Sequence, residues 1–295
     1  MAPRNFAPIS MSHAATVLPA NAMPRLPQRI VCLTTETVEV LYALGEQERI
    51  VGISGYTVRP PAARKEKPKV FAFTSGDIDK ILATRPDLVL TFSDLQSDIS
   101  RDLIKAGVPV YAFNMRSVDD ILGMIETLGR LVGAEARALA LVGELEAQIA
   151  ETRAIAAERH ARSGRKPRVY FEEWDEPMIS GIRWASELIE LAGGEDVFAE
   201  RARSPLARDR MPTAEEVIAA APDIIIGSWC GKHFRPERIA ARPGWESIPA
   251  VRDGRLHEIK SAVILTPGPV AISEGLPALL DIFDLSKYPA PTHGL

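Results

Sequence analysis

Four carboxylates crowd the six positions Glu172-Glu173-Trp174-Asp175-Glu176-Pro177. At that density one acid could give a proton and a neighbour take it, as general acid–base chemistry requires. Adjacent acids in a loop also read as groups facing water, and nothing else in the chain completes a reaction centre. There is no G-x-S-x-G elbow, no P-loop and no G-x-G-x-x-G after the first strand. The five histidines stand singly, and Lys232-His233 reads as a solvated turn. Cys32 and Cys230 lie far apart without CxxC spacing, so no zinc site is spelled out, and the sequence leaves them free or joined. No ligand set for a metal ion appears. Capture of a ligand without chemistry is the expected activity.

A different set of side chains follows the apolar runs. Thr34-Thr35-Glu36 comes after one, and Ser54-Gly55-Tyr56 after the next. Thr91-Phe92-Ser93-Asp94 and Phe113-Asn114 follow two more. Later come the acid-rich stretch with Trp174, and Ser228-Trp229-Cys230-Gly231-Lys232-His233-Phe234. Two of the four tryptophans, Trp174 and Trp229, thus sit directly at predicted strand ends. Any one of them alone reads as core packing. Together with nearby hydroxyl, amide and carboxylate groups they suit a large, flat, partly apolar ligand with polar substituents.

The elements that must position these residues are strands alternating with short helices. Arg29–Leu33, Val51–Ile53, Leu88–Phe92 and Val110–Phe113 read as strands, with helices over Thr35–Leu44, Ile78–Ala83 and Ser100–Ala106. From Val118 to about Arg162 there is no proline, and apolar residues recur at helical spacing, with Gly129, Gly133 and Gly143 as points of kinking or division. Alternation then resumes: strands at Val169–Phe171, Ile224–Gly227 and Leu256–Ile259, helices at Ala185–Leu191, Glu215–Ala221 and around Ala271–Ile282. This order predicts parallel sheets covered on both faces.

An internal repeat ties the two halves together. Asp79–Leu90 (DKILATRPDLVL) aligns without a gap to Glu215–Ile226 (EEVIAAAPDIII), and Tyr42–Val51 matches Ile189–Phe198 more loosely. The repeat predicts two lobes of one topology flanking the helical segment. The expected divisions are a tail over 1–28, lobes over 29–117 and 163–288, the linking helix over 118–162, and a tail over 289–295. Open α/β sheets bind ligands beyond the carboxyl ends of their strands, so two facing lobes would share one cleft.

Composition agrees. The 295 residues are 46% hydrophobic and 25% charged, which suits two core-bearing domains. A net charge of -4 gives no global basic field for nucleic acid. No apolar run approaches the roughly 20 residues of a membrane span. Met1–Gln28 lacks a basic stretch followed by a continuous apolar one, so no export signal is recognisable there.

The run RIVCLTTETVEVLYALGEQERIVGIS from Arg29 resembles the opening of class III periplasmic binding proteins, which serve ABC importers of cobalamin, haem and iron–siderophores. Phe171–Phe198 and Ser228–Pro269 resemble the cobalamin-binding branch, and the likeness covers Arg29 to Phe283. It implies an α/β fold of two Rossmann-like lobes with mostly parallel sheets, joined by one long backbone helix. It further implies a periplasmic monomer without a permanent cofactor. Such a protein takes a corrinoid as its ligand and docks on the membrane subunits of an ABC importer through one acid per lobe. Those acids match Asp79 and Glu215, each in the first turn of a predicted helix, where the helix dipole favours a carboxylate. For a corrinoid, the rings of Tyr56, Phe92, Trp174 and Trp229, with Phe73 or Trp245, are expected to face the macrocycle. Thr35, Ser93, Asp94, Asn114, Glu173 and Arg183 are the expected polar contacts. An iron–siderophore or haem protein of the same fold is the alternative ligand reading, a cytoplasmic corrinoid-binding protein without a transporter the alternative setting, and a chelatase-like enzyme comes last.

Overall fold

The computed structural model describes residues 26–72 and 78–284. Phe73 and nearly all of the two expected tails lie outside the described residues. In the first half the order is β1 (Ile30–Cys32), α1 (Thr35–Ala43), β2 (Ile50–Ser54), α2 (Pro61–Glu66), β3 (Lys69–Phe71), α3 (Ile78–Ala83), β4 (Leu88–Phe92), α4 (Ser97–Lys105) and β5 (Val110–Phe113). Two helices follow, α5 (Val118–Val132) and α6 (Glu135–Ser163). The second half runs β6 (Arg168–Asp175), β7 (Met178–Ser180), α7 (Arg183–Leu191), β8 (Glu195–Asp196), α8 (Ala199–Ala202), α9 (Ala214–Ala220) and β9 (Ile224–Gly227). It ends with α10 (Pro236–Ala240), α11 (Pro249–Arg252), β10 (Leu256–Glu258), α12 (Ser261–Ile264), α13 (Pro269–Ser273) and α14 (Gly275–Ile282).

The first sheet has the order β3-β2-β1-β4-β5, with every pairing parallel. The second has the order β10-β9-β6, and β7 and β8 share the far edge of β6. Only β7 is antiparallel, because the β6–β7 connection is a hairpin rather than a helical crossover.

Strand alternation sorts the core into three parts. Ile30, Leu88, Leu90, Val169, Phe171, Ile224 and Ile226 point into one continuous core that also takes residues of α1, α5, α6, α7 and α14. Val31, Val89 and Leu103 pack on the outer face of the first sheet. Tyr170, Ile225, Trp229 and Trp245 pack on the outer face of the second.

The segment 118–162 is a helical hairpin rather than a single helix. Ser117 caps α5 in a reciprocal capping box with Asp120, and Gly133, at φ 71°, ends it in the left-handed conformation. The linking helix is α6, whose 29 residues span about 43 Å. The hairpin is tight at Gly129, where a Cβ would lie 2.3 Å from the Ala138 Cβ. Gly129→Val should therefore cost roughly 1–3 kcal/mol through overpacking, more than the better helix former returns. The midpoint of urea unfolding measures this, and an unchanged midpoint would refute the close packing.

The repeat holds in three dimensions. The α3–β4 unit lies beside β1 as α9–β9 lies beside β6. Asp87 accepts the backbone N–H groups of Gln28 and Arg29, and Asp223 accepts that of Arg168. The Arg29 side chain donates to the Thr84 and Arg85 carbonyls, the Arg168 side chain to that of Ala220. Arg85 and Ala221, equivalent in the repeat and each preceding a proline, both have positive φ, 48° and 43°. The looser match also holds: α1 and α7 end at Gly45 and Gly193, and their next strands, β2 and β8, pair with β1 and β6.

Candidate functional site

The carboxyl edge of the first sheet faces the second lobe. Gly268, between α12 and α13, lies against Glu36 at the start of α1. On the β2 side, Arg59 reaches across to Glu274 with both nitrogens 2.6 Å from its oxygens. On the β5 side, the Glu187 carboxylate of α7 accepts the Val118 N–H at 2.7 Å. The Arg59 contact joins the two lobes, and the Glu187 contact ties the second lobe to the start of α5.

On the first lobe the strand ends are tied by Gln96. Its buried amide accepts the Phe92 N–H at 2.9 Å and donates to the Leu33 carbonyl at 3.3 Å, joining β4 to β1. Ser93 takes a positive φ of 53°, a conformation that costs a non-glycine residue energy. It is held there by its N–H to the Phe113 carbonyl and by its hydroxyl, which accepts the Leu95 N–H. The turn leaves Leu95 57% exposed, and the loop after β2 leaves Tyr56 67% exposed. Val58 joins them as an exposed aliphatic. Asn114 and Asp94 are exposed, Thr35 is half-buried, and Asp94 lies 3.5 Å from Arg116. Phe92 does not present its ring: it lies in the continuous core under the Arg116 guanidinium, 5.6 Å away.

On the second lobe β6 runs past its partner β9, so the β6–β7 hairpin projects beyond the sheet. Trp174, half-buried on that hairpin, donates its indole N–H to the Glu176 carbonyl at 2.8 Å. The Lys232 ammonium sits 3.8 Å over its ring and 2.8 Å from Asp175. Burial works against the Asp175 anion, but hydrogen bonding and charge from Lys232, with Arg238 behind it, hold its carboxyl below the usual range. Glu173 pairs with the buried Arg210, and Arg183 is exposed beside Glu187 at 2.8 Å.

Two expected rings are core instead. Trp245 is fully buried against Tyr170, with the Arg242 guanidinium 4.5 Å from its ring centroid. Trp229 is 2% exposed, and its indole N–H donates to Glu172 at 3.0 Å. Strand parity explains Trp229, which continues the outward-facing alternation of Ile225; Trp245, on a short turn of 3-10 helix, packs into the same cluster with Tyr170. The acid-rich stretch is likewise no solvated loop. Glu172 is fully buried and accepts from Arg242, Tyr170 and Trp229. Cys32 is buried, Cys230 exposed, and both are free. Asp79 and Glu215 are exposed in the first turns of α3 and α9, the equivalent places of the two lobes. Among the described residues no cluster of histidine, cysteine and acid side chains could hold a metal ion. No described helix is long and apolar enough to cross a membrane.

The sequence reading missed Val58, Leu95 and Arg116. Exposed aliphatics directly after a strand are the signal that would have found the first two.

Comparison with known proteins agrees with this architecture. The profile of the family described as "Periplasmic binding protein" matches residues 30–263. A vitamin B12-binding protein of Yersinia pestis is 25% identical over 232 residues, covering 77% of this chain and 79% of its own. The apo structure of a periplasmic heme-binding protein from Roseiflexus sp. RS-1 superposes with a TM-score of 0.72 at 25% identity, over 87% of this chain and 99% of that one. A periplasmic vitamin B12 binding protein of Vibrio cholerae gives 0.69 at 20% identity, over 88% and 98%. These relatives are binding proteins rather than enzymes. The chain belongs to the periplasmic binding protein family.

Proposed function

We propose that the protein captures a corrinoid, cobalamin or cobinamide, between its lobes and delivers it to an ABC importer from the periplasm. One observation carries this reading: exposed Tyr56, Val58 and Leu95 stand at one carboxyl edge and half-buried Trp174 at the other. Such surfaces suit a macrocycle, and Ser93, Asp94, Asn114, Thr35 and Arg183 offer hydrogen bonds to amide side chains. The vitamin B12-binding relatives support the same ligand. Asp79 and Glu215, at matching first turns, are the proposed contacts to the importer's membrane subunits, and the working form is a monomer.

Haem is the second reading. The heme-binding relative favours it, and so do Lys232 over Trp174 and Arg238, which shares Asp175 with it, since two cations suit propionate groups. Titration followed by tryptophan fluorescence and calorimetry separates the two. Cyanocobalamin and cobinamide should bind, while haem and ferric siderophores bind weakly or not at all. Tight haem or siderophore binding with silence towards both corrinoids would overturn the ligand assignment.

A further inference from the structure

The seam between the lobes contains acids that ligand capture does not call for. Glu36 and Glu39 lie one turn apart on α1 and are only 3% and 6% exposed. Both meet the other lobe. A Cβ at Gly268 would come within 2.7 Å of a Glu39 oxygen and 3.0 Å of the Glu36 Cβ, so any larger residue there would push on both acids. Arg59 bridges to Glu274 beside them and is also near enough to feel the Glu39 charge, so Glu39 and Glu274 share one guanidinium. Glu36 Oε1 and both Glu39 oxygens make no hydrogen bond of ordinary geometry, and the Val270 N–H is only a loosely placed donor to Glu39.

The other elements around the seam bring little compensating charge. Cys32 of β1 lies close enough to feel the Glu36 charge, and Tyr42, farther along α1, donates to Glu66. Helix α13 carries no titratable side chain, and the residues that α5 sends into the shared core are apolar.

We infer that this seam is a proton-dependent latch between the lobes: with Glu36 and Glu39 protonated the lobes dock through Arg59 and Glu274, and ionisation of the pair drives the seam apart. Burial pushes the Glu36 carboxyl up to about 7 and that of Glu39 up to about 8; for Glu39 the Glu36 charge adds to the shift and Arg59 opposes it. Both values lie above the ordinary carboxyl range, so the docked form holds more protons than the separated one. Docking is therefore strongest in acid and is lost as the pH rises through about 7 to 8.

The latch does not depend on which ligand fills the cleft, so the ligand-free protein tests it. Dyes on Asp98→Cys and Glu200→Cys, whose native side chains are 88% and 80% exposed, report lobe separation by energy transfer in a Cys230→Ser background. Transfer should fall as the pH rises, with a midpoint between about 7 and 8. Glu39→Gln, nearly isosteric, should flatten the response. Glu36→Gln should move the midpoint to higher pH, because one of the two charges that drive the lobes apart is gone and the docked form then tolerates ionised Glu39. Arg59→Met should lower transfer even in acid, and the exchange Arg59→Glu with Glu274→Arg should restore it. A pH-independent signal in the parent, a full response in Glu39→Gln, or an unmoved midpoint in Glu36→Gln would each overturn the latch.

Discussion

Arg242→Ala should lower the free energy of unfolding by roughly 3–5 kcal/mol, the cost of stranding a buried carboxylate. Glu172 is fully buried, and Arg242 meets it with two nitrogens, at 2.6 and 3.0 Å. Tyr170 and Trp229 complete its partners, at 3.0 Å each. Neither hydroxyl nor indole carries a charge, so only Arg242 balances the anion. The same guanidinium lies over Trp245, and its loss also opens the ring's packing. Urea unfolding followed by tryptophan fluorescence measures the cost. A double variant, Glu172→Gln with Arg242→Met, should recover much of it, because removing both charges also removes their desolvation penalty. A loss below about 1 kcal/mol in the single variant would refute the assignment.

The second large effect concerns the ligand. Tyr56→Ala combined with Trp174→Ala should weaken corrinoid binding about a hundredfold, each ring contributing about 1.4 kcal/mol. Tyr56 is largely exposed, so its removal should leave stability unchanged within about 0.5 kcal/mol. Trp229→Ala should behave in the opposite way. Its ring is buried beside Phe234, centroids 5.2 Å apart, so truncation should cost about 3–5 kcal/mol of stability. Calorimetric titration of the double variant is the check, and unchanged affinity would remove both rings from the proposed pocket.

Much of the fold was legible because the strands are continuous apolar runs flanked by proline or glycine. β4, β5, β9 and α3 match their predicted bounds to the residue. The repeat was legible because Pro86-Asp87 and Pro222-Asp223 repeat both the turn and the acid that ties it to the first strand. What escaped were elements too short for periodicity: β3 has three residues after Pro68, and β7 three after Pro177. The single helix expected around Ala271–Ile282 breaks at Glu274, just ahead of Gly275 and Pro277, and the Glu274 side chain there meets Arg59.

The site was less legible because a strand end marks a place but not a direction. Trp174 and Trp229 both read as following strands, yet Trp174 lies within β6 on the projecting hairpin and Trp229 turns under the sheet. Nothing in the sequence around Glu36 and Glu39 marks them as buried. Their burial depends on Gly268, which lies far along the chain, and no local pattern announces that meeting.

The core that runs unbroken from Ile30 through Leu128 and Val142 to Leu279 bears on how this protein can be rebuilt. Its halves are not interchangeable parts on a common stem. A chimera that borrows one lobe from a relative must carry over the matching aliphatic faces of the hairpin as well, or the graft will leave an oily scar along the join.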